Sequence, residues 1–488
     1  MTIPALALVP VLIDDPAGTG ASTATLTSQA LARAAREDYP HWLTTTAPAG
    51  GCIRPIRLRG TSKDVDTATG EIVREFDTAG TPDGVIYTAC GDRRASVCPP
   101  CAETYRRDTY HLIRTGLAGG KGTPGTVAAH PAVFATLTAP GFGPVHTRPM
   151  TQGGKTARCR PRRKAPLCPH GRRLSCGQRH RETDPCLGKP LCPDCYDYAA
   201  TVVWNAHAPE LWRRTVITIR RHLDRLARDQ QTRVRLSYAK VAEFQARGVV
   251  HFHAIFRLDG TDPADPGQLA PPTGITARQL AHAITQAARV TGFATVAHPA
   301  RPRGWDITWG TQTDTRIISL IGTGQLSDVA VASYLAKYST KSTEAVGTLA
   351  VRITAGNIRY YGNPRSHQGR LIGAAWQLGR HSHDDFRALR RWAHMLGYRG
   401  HFATKSRRYS TTLRAIRQAR ADYRRRRHLE HNQPAGTTTA AVTVVQVPDL
   451  TWAGRGWKTS GDALLALSAA ARARDHHAIA RQETAAVA

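Results

Sequence analysis

Residues 243–253 read Glu243-Phe-Gln-Ala-Arg-Gly-Val-Val-His-Phe-His253, a pattern that predicts a β-hairpin. A three-residue loop at 246–248 would put its glycine in the left-handed position, which is a common hairpin geometry. In that register Glu243 lies directly opposite His251, and the period of two along a strand puts His253 on the same face. Opposed side chains have Cβ atoms about 4.5–5.5 Å apart. One carboxylate and two imidazoles therefore converge on a small volume, as a divalent-metal site requires.

The same stretch also fits a strand with two solvent-facing histidines, because His-x-His alone is a weak signal. Metal ligation is favoured by the glutamate at this register and by an apolar opposite face. That face carries Phe244, Val250, Phe252, Ala254 and Phe256. Gln245 is a candidate for a further ligand or for a group that orients one.

A second informative pattern lies on a helix predicted over residues 327–341. Tyr334 and Tyr338 are four residues apart, so their side chains share one face of the helix. Lys337 and Lys341 stand in the same relation. A tyrosine oxygen can attack a phosphodiester while a metal polarises a non-bridging oxygen and lysine neutralises the developing charge. For this helix alone, two core tyrosines and ordinary surface lysines would be favoured, and only the preceding metal hairpin favours catalysis.

The net charge indicates a polyanionic partner. The chain has 488 residues, with 67 Lys and Arg against 36 Asp and Glu, and a formal net charge of +31. Solvated surfaces usually mix both signs, so this excess favours nucleic acid, with an anionic membrane surface as the second candidate. Hydrophobic residues make up 41% of the chain, which excludes a wholly disordered protein. The length predicts roughly two to four domains.

Neither membrane insertion nor secretion is expected from the sequence. No apolar run approaches the ~20 residues that span a bilayer. The apolar stretch at 4–13 has no basic residue before it and contains two prolines, unlike a signal peptide, so we expect a cytoplasmic protein. The chain also lacks the G-x-x-x-x-G-K-[ST] motif, so unwinding would fall to a separate helicase.

The ten cysteines all lie within the first 195 residues, which in a cytoplasmic chain predicts metal binding and not disulfides. The first predicted structural zinc site consists of Cys52, Cys90, Cys98 and Cys101. The first choice for a second site is Cys168, Cys176, Cys192 and Cys195, and His170 could replace one of them. One or two Zn²⁺ ions are expected, as staples for segments with too little core. DNA contact by nearby arginines would be secondary, and a redox role is disfavoured.

The region from 380 to 428 is predicted to be helical and strongly basic. Its helical spacing would align Arg414, Arg417, Arg420 and Arg424 in one cationic stripe. Most of them lack an acidic partner four residues away, which favours a phosphate-tracking face over an ordinary exposed helix. Nearby Tyr409, Tyr423 and Trp392 could stack on bases. The predicted DNA-binding residues are Arg407, Arg408, Arg414, Arg417, Arg424 and Lys341.

The remaining patterns predict alternating strands and helices. Strands are predicted at 131–139, 233–245, 249–258, 305–309 and 316–320, and further helices at 102–117, 200–228, 276–290 and 460–474. The predicted domains are a poorly ordered N-terminal segment at 1–50, a Cys-rich zinc-binding region at 51–126, a core at 127–345 with a Cys-rich insertion at 148–200, a basic and mostly helical region at 346–430, and a linker and tail at 431–488.

Three motifs, in this order, resemble those of the HUH endonucleases, and specifically the rolling-circle replication initiators. They are the strand Phe134-Ala-Thr-Leu-Thr-Ala-Pro140, the pair His251-Phe-His253, and Tyr334-Leu-Ala-Lys-Tyr338, which resembles the two-tyrosine branch. Over about residues 50–430 the chain resembles the RepSA-type initiators of actinobacterial plasmids and integrative conjugative elements. The stretches that carry this wider resemblance are Cys90-Gly-Asp-Arg-Arg-Ala-Ser-Val-Cys-Pro-Pro-Cys101, Leu191-Cys-Pro-Asp-Cys-Tyr-Asp-Tyr198 and Lys405-Ser-Arg-Arg-Tyr-Ser410.

The resemblance implies an α+β fold with a HUH nuclease core, an antiparallel ferredoxin-like or palm-like sheet with flanking helices. The zinc-stapled N-terminal segment and insertion would be additions to it. His251, His253 and Glu243 would hold Mg²⁺ or Mn²⁺. Tyr338 would make the first nick and Tyr334 would be its partner, with the reverse order open, while Lys337 would assist catalysis.

The implied reaction nicks one strand of a double-strand origin at a single-stranded site. The protein keeps the 5′ phosphate on tyrosine, leaves a 3′ hydroxyl for polymerase, and later rejoins the DNA in rolling-circle replication. The implied partners are origin DNA, a host helicase, a single-strand-binding protein and DNA polymerase, with no membrane.

Other functions stay open at this point. A conjugative relaxase or single-strand transposase of the same superfamily is one, although most relaxases have their nucleophile near the N-terminus. A non-catalytic, zinc-stapled DNA-binding protein is another. A metal-dependent hydrolase without a covalent intermediate is a weaker one, and it predicts that Tyr→Phe changes leave cleavage intact.

Overall fold

The structure, a computed structural model, describes residues 22–164, 167–261, 272–318, 327–340, 351–432 and 444–487. Its strands are β1 (Ile56–Asp66), β2 (Ile72–Asp77), β3 (Ile86–Thr88), β4 (Ala132–Leu137), β5 (Val234–Phe244), β6 (Val250–Gly260), β7 (Gly292–Ala294), β8 (Asp306–Thr308), β9 (Thr313–Ile318), β10 (Ala403–Lys405) and β11 (Val444–Arg455). Its helices are α1 (Thr23–Ala34), α2 (Tyr39–Thr46), α3 (Pro99–Ala118), α4 (Tyr198–Asp229), α5 (Ala277–Val290), α6 (Asp328–Ser339), α7 (Ile358–Tyr361), α8 (His367–Leu378), α9 (Asp384–Arg391), α10 (Leu413–Asn432) and α11 (Ser460–Val487). In the parts of the chain that the structure describes, none of these helices has the length and apolar character to cross a bilayer.

The chain divides into two units. The first unit combines the part before Arg106 with the part from Ala421 onward, and the second is Arg106–Arg420. In the first unit β1 pairs antiparallel with β11 on one side, and with β3 and β2 on the other. The two ends of the sequence therefore build one sheet, beside which α1 packs against α11.

The predictions for the two chain ends miss part of the structure. A poorly ordered segment is predicted at 1–50, but α1 and α2 lie within it and Trp42 is fully buried. A linker and tail are predicted at 431–488 with one helix at 460–474. The helix is confirmed within α11, but the strand β11 is missed. These segments gain order from partners that are distant in sequence. For example, Arg33 pairs with Asp462 at 2.7 Å across 429 residues. A local window contains no periodic signal for such pairing.

The second unit is built on an antiparallel sheet with the strand order β10–β5–β6–β4–β9. The predicted α+β class with antiparallel sheets is confirmed. One sheet face packs against α4 and α5 around Trp212, Phe252 and Phe256. The other face packs against α3 and α6 in a second apolar cluster that includes Ile255 and Leu335. The hairpin β5–β6 is thus covered on both faces, and this burial fixes its position.

The basic region predicted at 346–430 is more than a helical addition to this unit. Its strand β10 pairs with β5 and forms an edge of the sheet. Trp376 on α8 and Phe386 on α9 lie in the core with Trp212 and Phe252. The strand is missed in the sequence because Ala-Thr-Lys is too short to show alternation.

The Cys-rich insertion lies between β4 and α4. Its described residues are joined by isolated backbone bridges, such as Arg160 with Cys176 and Val145 with Pro190, and by a short helical turn at Pro193–Cys195. Backbone ladders therefore contribute little to its order.

Candidate metal and tyrosine site

The hairpin β5–β6 has the predicted register, which is confirmed by the pairing of Glu243 with His251. Hydrogen bonds close the turn, from Gly248 N to Gln245 O and from Gln245 N to Val249 O, both 2.8 Å long. Gly248 has a φ of +76°, a left-handed conformation that favours glycine. This turn brings the three predicted donor side chains onto one face.

The triad Glu243, His251 and His253 has the geometry of a metal site. Oε2 of Glu243 lies 3.2 Å from Nε2 of His251 and 3.5 Å from Nε2 of His253. One donor atom from each residue lies within 4.8 Å of the others. The side chains of Glu243 and His253 are 12% and 3% exposed. A cation bound here would be largely shielded from water.

Thr136 on β4 orients His253. Its Oγ1 lies 3.0 Å from Nδ1 of His253, which directs Nε2 of the ring towards Glu243. Such hydrogen bonds behind a ligand fix the ring and its tautomer. Sequence reasoning missed this role, although Thr136 belongs to the first quoted motif, because the cross-strand pairing of Thr136 with His253 is visible only in the sheet.

Gln245 supports the triad from the side. Its Nε2 lies 3.4 Å from Nδ1 of His251, and its Oε1 accepts a hydrogen bond of 2.8 Å from Arg247. Arg247 also donates to the main-chain oxygens of Pro140 and Ala139, at 2.9 and 3.1 Å. The structure therefore gives Gln245 the orienting role that the sequence left open beside direct ligation.

Buried Asn205 on α4 anchors the hairpin turn. Its Nδ2 donates to the main-chain oxygens of Gly248 and Leu396, both at 2.9 Å, and its Oδ1 accepts from Val250 N at 3.0 Å. An unsatisfied buried amide is costly, so this set of bonds favours one position of the turn. A lone asparagine in a helical pattern gives no signal of this role in the sequence.

The tyrosine helix α6 lies against the triad. The ring centroids of Tyr334 and Tyr338 are 4.4 Å apart, and they lie 5.2 and 5.4 Å from that of His253. Phe134 of β4 stacks on His253 at 5.9 Å and meets the edge of Tyr334 at 5.8 Å. Residues from all three motifs therefore meet around His253.

Tyr334 is 40% exposed and is the more exposed of the two phenols. Partial burial, a hydrogen bond with Tyr338 and the nearby charge of Glu243 raise the pKa of Tyr334. Tyr334 therefore keeps its proton at neutral pH, and a cation in the triad would oppose this effect. Lys337 is exposed on the same helix, whereas Lys341 lies outside the described residues.

The first predicted zinc group is brought together in the first unit. Sγ of Cys52 lies 3.7 Å from Sγ of Cys98, and Sγ of Cys90 lies 3.6 Å from Sγ of Cys101. Hydrogen bonds with Cys101 and Cys52 lower the pKa of the Cys98 thiol. Four converging sulfurs, one already inclined to ionise, suit a closed tetrahedral site.

The second predicted group is rearranged. The structure gathers Cys168, His170, Cys192 and Cys195. Nδ1 of His170 lies 3.2 Å from Sγ of Cys195 and 3.8 Å from Sγ of Cys192. The predicted assignment of Cys176 to this group is corrected, because its main chain bridges to Arg160 in another part of the insertion. His170 takes the place of Cys176 in this group, a replacement that the sequence left open.

The predicted cationic stripe is only partly available to DNA. Arg417 and Arg420 both pair with the fully buried carboxylate of Asp108, with Arg417 Nε at 3.0 Å. Asp108 lies 309 residues before Arg417, so the absence of local acidic partners is misleading. Arg407, Arg408, Arg414 and Arg417 of the predicted set are all exposed, but Arg417 is held by its ion pair with Asp108. The side chain of Arg424 lies outside what is described.

The expectation that Tyr409 stacks on bases is wrong. The residue is fully buried, and its hydroxyl donates to the main-chain oxygen of Ile113 at 3.1 Å. Tyr423 is 56% exposed and stays a candidate. Tyr409 and Tyr423 differ in burial, but the sequence around each of them supports the same expectation of base stacking.

Comparison with known proteins identifies the family. The sequence model of the RepSA family, described as "Replication initiator protein, pSAM2", matches residues 38–471. The chain belongs to the RepSA family. A replication initiator protein of Streptomyces ambofaciens is 42% identical over 458 residues, which cover 92% of this chain and 94% of that protein. No solved structure matches the chain. The predicted resemblance to RepSA initiators is confirmed, and this RepSA protein is a replication initiator.

Proposed function

We propose that this RepSA initiator is a metal-assisted DNA nicking and joining enzyme with a HUH core. The proposal is carried by one observation, the meeting of two phenol rings and the Glu243, His251 and His253 triad at one point of the sheet. The triad lies on the central hairpin of an antiparallel sheet, next to β4, and the tyrosine helix follows in sequence. That order matches the HUH resemblance.

In the proposed reaction, the oxygen of Tyr338 attacks the phosphorus of a phosphodiester in exposed single-stranded origin DNA. The phenol proton is lost to solvent, a phosphorus–tyrosine bond forms, and the bond to the 3′ oxygen breaks. That oxygen takes up a proton and leaves as the 3′ hydroxyl that polymerase extends. After one round, the oxygen of Tyr334 would attack the regenerated junction, form a second phosphorus–tyrosine bond and free a new 3′ hydroxyl. That hydroxyl would attack the phosphorus held by Tyr338, which rejoins the strand and returns Tyr338 to its protonated form. Mn²⁺ or Mg²⁺ at the triad would supply positive charge for a non-bridging phosphate oxygen.

The order of the tyrosines in this proposal follows the resemblance. The hydrogen bond between the two phenols would let Tyr334 donate to the oxygen of Tyr338 as that oxygen attacks. Exposed Lys337, on the same helix, would neutralise charge on the phosphate. Tyr334 would then act in the second transfer, while Tyr338 still holds DNA.

The donor sets fit the proposed ions. Imidazole and carboxylate together suit Mn²⁺ better than Mg²⁺, whose usual ligands are oxygens. The four-sulfur group of the first unit and the three-sulfur, one-nitrogen group of the insertion suit structural Zn²⁺. Exposed Arg407, Arg408 and Arg414 would contact phosphates of the origin. A host helicase, single-strand-binding protein and polymerase would complete replication.

The experiment is an adduct assay. The purified full chain is mixed with labelled single-stranded oligonucleotides that tile the DNA around its own gene, in Mn²⁺, and run on a denaturing gel. Tyr338→Phe, Tyr334→Phe and His253→Ala are compared with Tyr360→Phe, a matched change at a tyrosine that is 77% exposed.

We expect a slow-migrating protein–DNA adduct that needs metal, disappears in Tyr338→Phe and His253→Ala, and persists in Tyr360→Phe. Cleavage without an adduct would point to water as the nucleophile. Tight binding without cleavage of any oligonucleotide would favour the non-catalytic DNA-binding function.

A further inference from the structure

The insertion contains a third convergent group, which the sequence patterns do not predict. Its members are His146, Cys159, Cys176 and His180, whose donor atoms all lie within 4.8 Å of one another. Nδ1 of His146 lies 3.2 Å from Nε2 of His180, and Sγ of Cys176 lies 3.5 Å from that same atom. Sγ of Cys159 lies 4.0 Å from Nδ1 of His146. Ligands of a tetrahedral zinc ion are roughly 3.3–3.8 Å apart, given the usual zinc–nitrogen and zinc–sulfur bond lengths.

Groups behind the four donors prepare them for a cation. Asp184 Oδ2 lies 2.7 Å from Nδ1 of His180, which directs Nε2 of that ring into the group. This carboxylate–histidine pair is typical of zinc sites. The main-chain N of Thr147 donates to Sγ of Cys159 at 3.1 Å, a bond that holds this sulfur in position beside the other donors.

The surroundings provide little else to hold these side chains. Cys159 and His180 are 5% and 2% exposed. In the described part of residues 146–190 the chain forms neither a helix nor a strand, only isolated bridges. A short, buried, polar cluster in a segment with so little regular structure needs a strong local interaction, and metal coordination supplies one.

We propose that His146, Cys159, Cys176 and His180 hold one structural Zn²⁺ ion, separate from the catalytic triad and from the two cysteine-rich groups. This ion would hold the insertion against the hairpin turn. The main chain of His146 bonds to Lys189 and Gly188, both at 2.9 Å. Gly188 approaches the turn so closely that a Cβ there would collide with the main chain of Ala246.

The ion would thereby shape a cleft next to the triad. A cleft of about 540 Å³ is lined by the hairpin turn, by the end of the first-motif segment and by insertion residues. His146 itself lines the cleft, together with Arg148, Arg160 and Gln245. Gln245 contacts His251, so the zinc-held wall is one side chain away from the triad. The zinc assignment itself holds whether or not the triad nicks DNA.

The number of zinc ions per chain, compared between single variants and the wild type, tests the proposal. The full chain is loaded with zinc, passed over a weak chelating resin and measured by elemental mass spectrometry. Cys159→Ser and Cys176→Ser should each lose one zinc per chain. Cys186→Ser, at an exposed cysteine of the same segment, should lose none. His253→Ala, which removes a triad donor, is measured in parallel alone and combined with Cys159→Ser. Cys159→Ser should lower the zinc content by one ion per chain, both in the wild-type chain and in the His253→Ala variant.

Native alkylation of the unaltered chain gives a second test that does not depend on variants folding. With zinc present, Cys159 and Cys176 should be protected from iodoacetamide, and a strong chelator should make them react. Cys186 should react in both states. Equal zinc content in Cys159→Ser and wild type, alkylation unaffected by the chelator, or a Cys159–Cys176 disulfide in the purified chain would each overturn the proposal.

Discussion

The triad hairpin and the Cys-rich insertion are neighbours in the second unit but hold their reactive side chains by different means. In the hairpin, Glu243 and His251 are fixed by a continuous ladder whose strands are buried on both faces. In the described part of residues 146–195, two compact Cys/His groups are connected by isolated bridges and one short helical turn. A ladder keeps its geometry without an ion, whereas the insertion is expected to lose its geometry with its ions. Loss of metal should therefore stop chemistry at the first site and unfold the second.

The largest expected effect concerns the hairpin side of this comparison. Tyr338→Phe should lower covalent adduct formation by about a thousandfold or more, because the attacking oxygen is removed. Its zinc content and its hydrogen exchange in the insertion should stay at wild-type values. The adduct gel and elemental mass spectrometry check the two halves. Loss of the adduct only in Tyr334→Phe would reverse the order of the tyrosines. Adduct formation in both variants would show that neither tyrosine attacks DNA.

Zinc removal is the complementary change. A strong chelator should speed amide exchange in residues 146–195 by about a hundredfold, because metal binding and folding are coupled there. Exchange in β5 and β6 should change little, since apolar cores on both faces hold that hairpin. Hydrogen exchange with peptide-level mass spectrometry makes the comparison in one sample. Equal acceleration in both regions would show that the sheet depends on the zinc groups as well.

Much of the triad site could be predicted because its geometry is local. The turn at 246–248 and the period of two along the strands fix the pairing of Glu243 with His251, and both signals lie within one short stretch. The helix of Tyr334 and Tyr338 is also local: it is predicted from residue 327, and the side chain of Ser327 caps its first turn. The contact of that helix with His253 is not local, and only the order of family motifs indicated it.

What could not be predicted depends on partners distant in sequence. The second cysteine-rich group is an example, because it contains His170 and not the predicted Cys176. Sequence spacing shows that metal ligands are present but not which of them meet. Arg417 has no acidic residue four positions away, yet it pairs with Asp108, which lies 309 residues earlier. Tyr409 is predicted to stack on bases, yet it is a core residue. In each case folding across long sequence separations decided the contact.

Two matched substitutions behind the ligands sharpen the comparison. Thr136→Val, which keeps the shape of the side chain that orients His253, should weaken Mn²⁺ binding by about 10–100-fold. Asp184→Asn, which alters the partner of His180, should weaken zinc binding in the insertion by a similar factor. Titrating each metal into each variant checks both. Thr136→Val should change only Mn²⁺ affinity, and Asp184→Asn only zinc affinity. If either variant changes both affinities, the two sites are coupled.

The smallest expected effect is a pH dependence confined to the sheet. Lys240 on β5 is 3% exposed, with Nζ 4.2 Å from the centroid of the Phe252 ring. Burial lowers the pKa of Lys240 to about 7 from an ordinary value of 10.5. Between these values the unfolded chain binds more protons than the folded one, so stability rises with pH through this window. Relative to Lys240→Met, the wild-type sheet should gain about 2 kcal/mol between pH 7 and pH 9.

Native-state hydrogen exchange of the β5 and β6 amides at both pH values measures this gain, with Lys189→Met as the control at an exposed lysine of the insertion. The control should follow the wild-type profile. Amide exchange in the insertion should be the same in wild type and Lys240→Met, because we assign the order of the insertion to zinc and not to the apolar core around Lys240. If the wild-type and Lys240→Met sheets instead gain stability in parallel, Lys240 is charged inside the fold. The rings of Phe252 and Trp212 would then stabilise a cation, and the sheet would hold a buried charge without an ion pair.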